Sequence, residues 1–314
     1  MFGEGGKMNK NDKLYDLDTM MTEPVDKWVH GCEKDFFGRL DAVAEAACAD
    51  GVRLLRLSGP TCSGKTTAAN LLRSRFARMG KNLHLVSIDD FYYDKDYLHA
   101  RAKDEDNGEV DYDSVHTIDL DALRDFTEEI FTQERSHCPV FDFKAGKRVS
   151  YRLMESGPDD VFIFEGIQAV YPEVTEIFES NGHRSVGIYI SPERSIKLGD
   201  VIMEPNEIRL MRRLVRDYNF RGTLPEITFG LWAGVRRNEE ANIMPYAKTC
   251  KYRIDSTMPY ELGILKPYLE KILKTVPKDS VHRAAADTIL DEMSEVCSIS
   301  ADLILPDSLY KEFI

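Results

Sequence analysis

The sequence has few cysteines, and none of them are arranged to bind a metal or to form a disulfide framework. No CxxC pair and no Cys/His cluster occurs. This spacing is typical of reduced thiols in a cytosolic protein and argues against a metal site made of sulfur. The scattered positions are Cys32, Cys48, Cys62, Cys138, Cys250 and Cys297.

Long hydrophobic runs are also lacking. The longest apolar stretches, such as Val161–Phe164, have the length of a β-strand and are far shorter than the ~20 residues that cross a bilayer. The first residues, Met1–Lys13, are polar and contain glycines, unlike a signal sequence. We therefore expect a soluble, cytoplasmic protein that does not act on a membrane.

Basic residues are in the minority. The chain has 41 Lys and Arg against 54 Asp and Glu, which gives a formal net charge of −13. A field of this sign repels nucleic acid and acidic membrane surfaces, so neither is an expected partner. Any phosphate-binding site must therefore be a local basic pocket in an acidic protein.

What is present is an alternation of short apolar strands and helical stretches. A strand is predicted at Val52–Ser58, and after a glycine-containing loop Thr66–Met79 has helical spacing that ends at Gly80. Further strands are predicted at Leu83–Ile88, Val161–Phe164, Val186–Ile190 and Tyr252–Ile254. Strands that alternate with helices predict an α/β fold, with a mostly parallel, doubly wound sheet flanked by helices.

The regions before and after this sheet are predicted to be accessory. Residues up to about Thr22 are predicted to form a disordered or loosely held leader, and Asp35–Ala49 an amphipathic helix. After Pro259 the sequence is helical again, and we expect these residues to serve packing and not catalysis. The three stretches are Leu262–Thr275, Val281–Val296 and Leu303–Ile314.

A phosphate-binding motif lies between the first strand and its helix. The residues Gly59-Pro-Thr-Cys-Ser-Gly-Lys-Thr66 satisfy the pattern GxxxxGK[ST] in its strand-to-helix context. Backbone N–H groups of such a loop face nucleotide phosphates, the helix adds its positive end, and Lys65 adds a full charge. Thr66 is predicted to bind Mg²⁺ through its hydroxyl. The alternative is a glycine-rich turn with an incidental lysine.

Two acidic residues stand at the carboxyl ends of predicted strands, where ligands bind in an open parallel sheet. Asp89 follows the second strand and Glu165 the third. Phosphoryl transfer to an alcohol needs a proton acceptor and a carboxylate near Mg²⁺, and Asp89 and Glu165 suit these roles respectively. The alternative is that both only cap the following helices. Asp90 is expected to point away from the site.

A cluster of arginines follows at helical spacing. On a helix these residues form one face, and mobile arginines that close over ATP can neutralise charge during phosphoryl transfer. The alternative is a solvated face paired with Glu204, Glu207 and Asp217. The arginines are Arg209, Arg212, Arg213 and Arg216, followed by Arg221.

Several stretches in one order resemble the uridine kinase and phosphoribulokinase family of P-loop kinases, in particular a bacterial-type branch of uridine kinase-like proteins. The resemblance runs from about Val52 to Tyr260. The stretches are Ser58–Thr67, Asp89–Tyr92, Asp111–Asp113, Pro139–Arg148, Phe164–Ile167, Arg209–Asp217 with Arg221–Gly222, and Val235–Glu239.

The resemblance implies a role for each matching residue. Asp89 matches the catalytic aspartate, Glu165 the acidic residue near Mg²⁺, and Asp113 a carboxylate that binds ribose hydroxyls. Tyr92 matches a residue beside the substrate, and Tyr112 and Phe141 match aromatic positions around the base. Arg213 matches a substrate-side arginine of the lid, and Arg216 and Arg221 match phosphate-side arginines. The implied ATP site contains Gly59, Pro60, Thr61, Cys62, Ser63, Gly64, Lys65, Thr66, Thr67, Arg216 and Arg221, with Lys65 and Arg216 as catalytic stabilisers.

Two positions depart from the uridine kinase pattern. Gly146 stands where uridine kinases carry a histidine that helps to read the pyrimidine, and Thr223 where they carry a further lid arginine. The base specificity is therefore open. The branch often has an additional amino-terminal domain, for which the residues before the phosphate loop are too few, so this chain resembles the kinase part alone.

The sequence thus predicts a P-loop NTPase fold with a helical lid and a C-terminal helical extension. We expect a leader and helix at 1–50, a P-loop kinase domain at 51–258 and the extension at 259–314. The favoured function is an ATP- and Mg²⁺-dependent kinase that phosphorylates the 5′-hydroxyl of uridine or a related nucleoside. The oligomeric state, including a homo-oligomer, is open.

Three other functions stay open. The first is a kinase of another small alcohol, such as a sugar phosphate or a vitamin precursor. The second is a nucleotide-binding switch, for which the NKxD motif at Asn9–Asp12 is in the wrong place. The third is a silent relative that binds a partner, which the combination of Lys65, Thr66, Asp89 and Glu165 disfavours.

Overall fold

The computed structural model describes residues 14–105, 110–180 and 182–314. In chain order the elements are β1 Leu14–Asp16, α1 Leu17–Met20, α2 Val25–Ala49, β2 Leu54–Ser58, α3 Lys65–Arg78, β3 Leu83–Ser87, α4 Lys95–Glu105, α5 Leu120–Thr132, β4 Arg135–Asp142, β5 Lys147–Glu155, β6 Val161–Glu165, α6 Pro172–Ser180, β7 Ser185–Ser191, β8 Ser195–Leu198, β9 Val201–Met203, α7 Pro205–Arg221, α8 Pro225–Asn242, α9 Met244–Ala247, β10 Tyr252–Asp255, α10 Glu261–Leu273 and α11 Arg283–Glu292.

A parallel sheet of five strands forms the centre, in the order β10-β7-β2-β6-β3. All five residues of β2 are buried, as expected for a middle strand covered by helices on both faces. Helices α2, α3, α7 and α10 share one hydrophobic core with β2, and α5 and α6 share the core of the opposite face. The predicted α/β fold with a doubly wound parallel sheet is confirmed.

Two small sheets lie outside this centre, and the sequence analysis did not predict either of them. Strands β4 and β5 form an antiparallel hairpin, and β1 pairs in parallel with β8, which pairs with β9. The hairpin turns at Gly146, which has a φ of +67° and receives a hydrogen bond from the backbone N–H of Lys95 at 2.7 Å. The hairpin therefore packs beside the carboxyl end of β3, where Asp90 accepts a hydrogen bond from the backbone N–H of Phe141.

The prediction of a loosely held leader up to Thr22 is wrong for its described part. From Leu14 the chain forms β1 and α1, because the buried side chains of Tyr15 and Leu17 join the core. Residues 1–13, with the NKxD motif at 9–12, lie outside the described residues. The next helix, α2, begins ten residues earlier than predicted and buries a long apolar stripe that includes Val29, Phe36 and Leu40.

The C-terminal residues are helical as far as α11. The helical character expected to continue to Leu303–Ile314 is limited there to the short 3₁₀ turn Leu309–Glu312, and a second 3₁₀ turn, Ala301–Leu303, precedes it. Pro306 separates the turns and cannot donate a helical hydrogen bond. Within the described ranges, no helix combines the length and the apolar character needed to cross a bilayer.

Candidate functional site

The loop between β2 and α3 has a shape that requires small residues. A Cβ atom on Gly59 would lie 2.1 Å from the carbonyl oxygen of Ile190, so no side chain fits there. Gly64 has a φ of +89° and stands at the N-terminus of α3. The first N–H groups of α3 lack helical partners, and they make this end of the helix suited to an anion.

Two polar side chains of the loop are available to a ligand. The Nζ atom of Lys65 donates hydrogen bonds to the carbonyl oxygens of Gly59 at 2.8 Å and Pro60 at 3.1 Å. The hydroxyl of Ser63 is buried and has no hydrogen-bond partner among the described residues. A buried hydroxyl without a partner is costly, so an anion in the loop would satisfy it.

The structure brings the two predicted carboxylates together beside this loop. Glu165, the last residue of β6, pairs in register with Leu57 of β2 and Ser87 of β3. Asp89 lies in the 3₁₀ turn that follows β3. A Cβ atom on Gly166 would lie 3.6 Å from Asp89 Oδ1, so the chain after Glu165 passes directly beside the Asp89 carboxylate.

Both carboxyl groups hold protons more tightly than usual. Burial raises the pKa of Asp89 to about 6 and the pKa of Glu165 to about 7, whereas the positive charge of Lys65 lowers both. Negative neighbours add to the effect of burial, since Asp89 helps to raise the pKa of Glu165, and Asp90 and Asp113 help to raise the pKa of Asp89. The site thus concentrates negative charge that a cation would offset.

The residues fit the predicted Mg²⁺ site. Mg²⁺ prefers oxygen ligands and keeps several waters, so it is commonly bound by one or two carboxylates together with substrate phosphates. Among the residues that the structure describes, no group of three His, Cys, Asp or Glu side chains forms an all-protein metal cage. The carboxylate of Glu165 and the exposed Thr66 are the predicted ligands, and Mg²⁺ bound there would offset the charge of Glu165.

The three predicted aromatic residues lie together, and one of them, Tyr92, is near Asp89. The ring centre of Tyr92 is 6.5 Å from that of Tyr112 and 5.7 Å from that of Phe141. Phe143, which the sequence analysis did not select, lies 6.4 Å from Tyr92 and is largely exposed. We refer to these four residues as the aromatic cluster. It forms an apolar, flat-sided surface next to the carboxylates.

Gln168 is a further site residue that the sequence analysis missed. Its side chain is fully buried, and its Nε2 atom donates hydrogen bonds to the hydroxyl of Tyr92 at 3.2 Å and to the carbonyl oxygen of Tyr112 at 2.9 Å. The amide therefore fixes two members of the aromatic cluster. Its position three residues after Glu165 was the available signal.

Asp113 lies near Asp89 and near Tyr92 of the aromatic cluster. Burial raises the pKa of its carboxyl group, while Lys65 and a hydrogen bond from Asn238 lower it. The backbone of Asp113 is held by the hydroxyl of Tyr171, which donates to its carbonyl oxygen at 2.9 Å. Asp113, the carboxylate predicted to bind the substrate, is therefore close enough to the phosphate loop for the charge of Lys65 to affect its pKa.

The expectation that four arginines of α7 form one open face is wrong for two of them. Arg209 and Arg212 have 1% and 0% of their surface exposed. Arg209 pairs with Glu239, and Arg212 pairs with Glu261 at 2.8 Å. Both also donate to carbonyl oxygens of the phosphate loop, at Thr61 and Cys62. We call them the inner arginines, because they are buried and donate hydrogen bonds to the backbone of the loop.

The other three arginines share a single counter-charge. Asp217 is 3% exposed and accepts from Arg213 at 3.1 Å and from Arg216 at 2.9 Å, with Arg221 at 3.4 Å. We call Arg213, Arg216 and Arg221 the outer arginines. Of the acids proposed as their partners, Asp217 takes this role, and among the described residues Glu312 adds a second negative charge near Arg216. Two carboxylates thus face three positive charges there.

The chain is similar in sequence to known proteins. The model of the Phosphoribulokinase / Uridine kinase family matches residues 54–258. A uridine kinase from Clostridium novyi is 21% identical over 253 residues, which cover 78% of this chain and 96% of that protein. Inorganic pyrophosphatase TTM2 from Arabidopsis thaliana is 23% identical over 252 residues, and the match covers 80% of this chain but only 33% of the plant protein.

Solved structures of kinases are also similar. A D-glycerate 3-kinase from Cryptococcus neoformans shares 16% sequence identity with a TM-score of 0.46, over 70% of this chain and 91% of that one. The family model covers more than half of the chain and includes the phosphate loop, Asp89, Glu165 and α7. The chain therefore belongs to the phosphoribulokinase / uridine kinase family of P-loop kinases.

Proposed function

We propose that this protein transfers the γ-phosphate of ATP to a hydroxyl group of a small molecule, and that the favoured acceptor is uridine or a related nucleoside. One observation carries the proposal. Asp89, Glu165 and Asp113 come from three separate segments, yet the charge of Lys65 lowers the pKa of each against the larger, opposing influence of burial. This shared influence of Lys65 supports a single site that joins the phosphate loop and the proposed acceptor pocket.

Asp89 is the proposed general base. Its pKa of about 6 leaves the carboxylate mostly ionised at neutral pH and still basic enough to accept a proton. The acceptor hydroxyl would give its proton to Asp89 as its oxygen attacks the γ-phosphorus. The bond between that phosphorus and the bridging oxygen breaks, and ADP leaves with the electron pair. Mg²⁺ held near Glu165 would neutralise charge on the phosphates.

Positive side chains supply the remaining stabilisation. In the proposal Lys65 leaves the carbonyl oxygens of Gly59 and Pro60 for the phosphates, and Arg216 offsets charge that develops during transfer. Arg221 contacts the nucleotide and Arg213 the acceptor. This assignment is supported by the incomplete compensation of the outer arginines, which share one carboxylate.

The aromatic cluster supports an acceptor with a flat base, and Asp113 is the proposed partner of the ribose hydroxyls. A phosphorylated acceptor is disfavoured, because acidic residues border the pocket and Asp111 lies beside Asp113. The base itself is not specified by residue 146. A side chain at Gly146 would require a left-handed backbone and would place its Cβ 2.9 Å from Cβ of Lys95, so the hairpin turn disfavours a histidine there.

The direct test is a panel of acceptors with ATP and Mg²⁺. ADP formation would be measured with uridine, cytidine, purine nucleosides, ribulose 5-phosphate, D-glycerate and pantothenate. We expect a nucleoside to give the highest kcat/KM. Phosphate release from pyrophosphate would be followed in parallel, because the plant relative is named as a pyrophosphatase. No response to any nucleoside would overturn the favoured acceptor.

The base is tested by Asp89→Asn, with Asp90→Asn as the matched control. Loss of a general base costs roughly 10²–10⁴-fold in rate, so we expect kcat to fall by roughly 10²-fold or more. In the control, the Asn oxygen can still accept from the backbone N–H of Phe141, so we expect nearly unchanged kcat. Equal activity of both variants and the wild type would contradict the assignment.

The pH dependence gives a second check. The base must be ionised, and burial raises its pKa, so kcat/KM should fall as the pH drops from 7 through about 6. A carboxylate with an ordinary pKa of about 4 would leave the rate flat over this interval. A flat profile down to pH 5 would therefore contradict Asp89 as a buried base.

A further inference from the structure

Residues 308–314, which we call the C-terminal segment, lie directly against the phosphate loop. A Cβ atom on Gly64 would lie 2.2 Å from Cδ1 of Leu309, so this leucine packs on the loop backbone. One turn later, Oε2 of Glu312 accepts a hydrogen bond from the hydroxyl of Thr67 at 3.0 Å. Two side chains of the segment thus touch the nucleotide-binding motif itself.

The position of Glu312 is one that suits an anion. Thr67 is the third residue of α3, and the first turn of a helix favours negative charge. The charge of Glu312 reaches the other groups of the site. It adds to the effect of burial in raising the pKa of Glu165, and it helps to raise the pKa of Arg216 against the opposing effect of burial. Glu312 thus lies between the loop and an outer arginine.

The rest of the segment is anchored through an inner arginine. The guanidinium of Arg212 lies 5.3 Å from the ring centre of Tyr310 and 5.4 Å from that of Phe313. The same group donates to the carbonyl oxygen of Cys62 in the phosphate loop at 3.3 Å. Loop and segment therefore contact the same buried cation.

Packing alone does not account for Glu312. The buried side chains of Leu309, Tyr310 and Phe313 hold the segment in the core, whereas Glu312 is only partly buried. A carboxylate beside Glu165 is unfavourable by itself, since both are negative. The contacts that compensate it are the Thr67 hydroxyl and the positive surroundings of α3 and Arg216. These are groups that a nucleotide phosphate would use.

We propose that the C-terminal segment competes with nucleotide for the phosphate loop, with the Glu312 carboxylate in the place of a phosphate group beside Thr67. The inference rests on the proposed function, because it takes the loop to be the ATP site. In this state Glu312 and Leu309 must move for the nucleotide to bind fully, so the segment sets the affinity of the enzyme for ATP and ADP.

The test measures binding of ADP and of ATP by calorimetry, without any acceptor. Glu312→Gln keeps the side-chain shape and removes the competing charge, so we expect Kd to fall roughly three- to tenfold, the range of one ordinary hydrogen bond. Glu312→Ala should show at least the same change. Asp302→Asn is the matched control, since it removes an exposed charge of the preceding turn, and its Kd should equal that of the wild type.

Hydrogen exchange separates competition from the alternative that the segment lines the nucleotide pocket. The backbone N–H groups of Lys311 and Phe313 bond within the segment, to the carbonyl oxygens of Ser308 and Tyr310. Competition predicts faster exchange of these amides when ADP is bound, whereas a lining segment would exchange more slowly.

Three results would overturn the inference. The first is an unchanged or higher Kd for Glu312→Gln. The second is slower amide exchange of the segment when ADP is bound. In both cases the proposed function would stay intact as long as the wild type binds nucleotide. If neither the wild type nor Glu312→Gln bound ADP or ATP, the inference and the proposed function would both fail.

Discussion

The inner and outer arginines lie on the same helix, α7, but differ in their electrostatic balance. Each inner arginine, Arg209 or Arg212, pairs with a buried glutamate and is almost inaccessible to solvent, although Glu239 also pairs with Arg236. The three outer arginines share Asp217, and the side chain of Arg221 is 58% exposed. The inner arginines are neutralised within the protein, whereas the outer arginines carry positive charge that a ligand can use.

This difference shows that a periodic charge pattern gives the face of a helix but not the function of that face. A buried, fully paired arginine supports the loop, and an under-compensated one can bind phosphate. Substitutions on the two sides of this division should therefore affect different properties of the protein.

Arg212→Ala should cause the largest loss, and the loss should be in folding. Removal of one partner of a buried ion pair leaves Glu261 buried without its cation, which typically costs about 3–5 kcal/mol in the free energy of unfolding. Urea denaturation would measure this. The double variant Arg212→Met with Glu261→Gln should recover much of the stability, and an equal loss in both variants would contradict a paired structural role.

Arg216→Ala should instead reduce catalysis. Loss of a group that stabilises transition-state charge costs roughly 100-fold or more in kcat. The melting temperature should change little, because Asp217 keeps Arg213 and Arg221 as partners. Steady-state kinetics and thermal denaturation of the same preparation would decide. A large drop in melting temperature with normal kcat would place Arg216 among the structural arginines.

Asp217→Asn should affect stability in a way that depends on phosphate. The change removes the negative charge that the three outer arginines share. Loss of a buried hydrogen-bonding partner typically costs about 1–3 kcal/mol in the free energy of unfolding. Added tripolyphosphate should restore more stability to this variant than to the wild type. Glu240→Gln, which alters an exposed pair with Arg236, is the control and should respond as the wild type does.

Arg221→Ala should have the smallest effect. Its side chain is the most exposed of the outer arginines, so its pairing with Asp217 contributes at most about 1 kcal/mol to stability. We expect a severalfold rise in KM for ATP that shrinks as salt is added, with unchanged unfolding. A KM that does not respond to salt would argue against a phosphate contact.

Local patterns were sufficient to predict at which edge of the sheet the candidate site lies. The phosphate loop has its own sequence pattern, and Asp89 and Glu165 could be selected because parallel strands end at one edge. The aromatic residues Tyr92, Tyr112 and Phe141 came from the family resemblance, and they do lie together. The chemical roles of all these residues stay predictions.

Long-range partners could not be predicted in this way. The glutamates that pair with Arg209 and Arg212 follow them by 30 and 49 residues, respectively. The helical spacing of the arginines does not indicate these partners. Glu312 is 245 residues from Thr67. The β4–β5 hairpin was missed because most of β5 is exposed and its sequence is mixed polar and apolar. Such features depend on tertiary packing and not on local periodicity.

The pairing of β1 with β8 has a consequence for the order of folding. Asp16 and Lys197, which form an ion pair across these strands, are 181 residues apart. At a synthesis rate of about 5–20 residues per second, the first strand leaves the ribosome on the order of ten seconds before its partner. Because the contact also closes a long loop, it is expected to form late. During translation Tyr15 and Leu17 would therefore stay exposed until most of the chain has emerged.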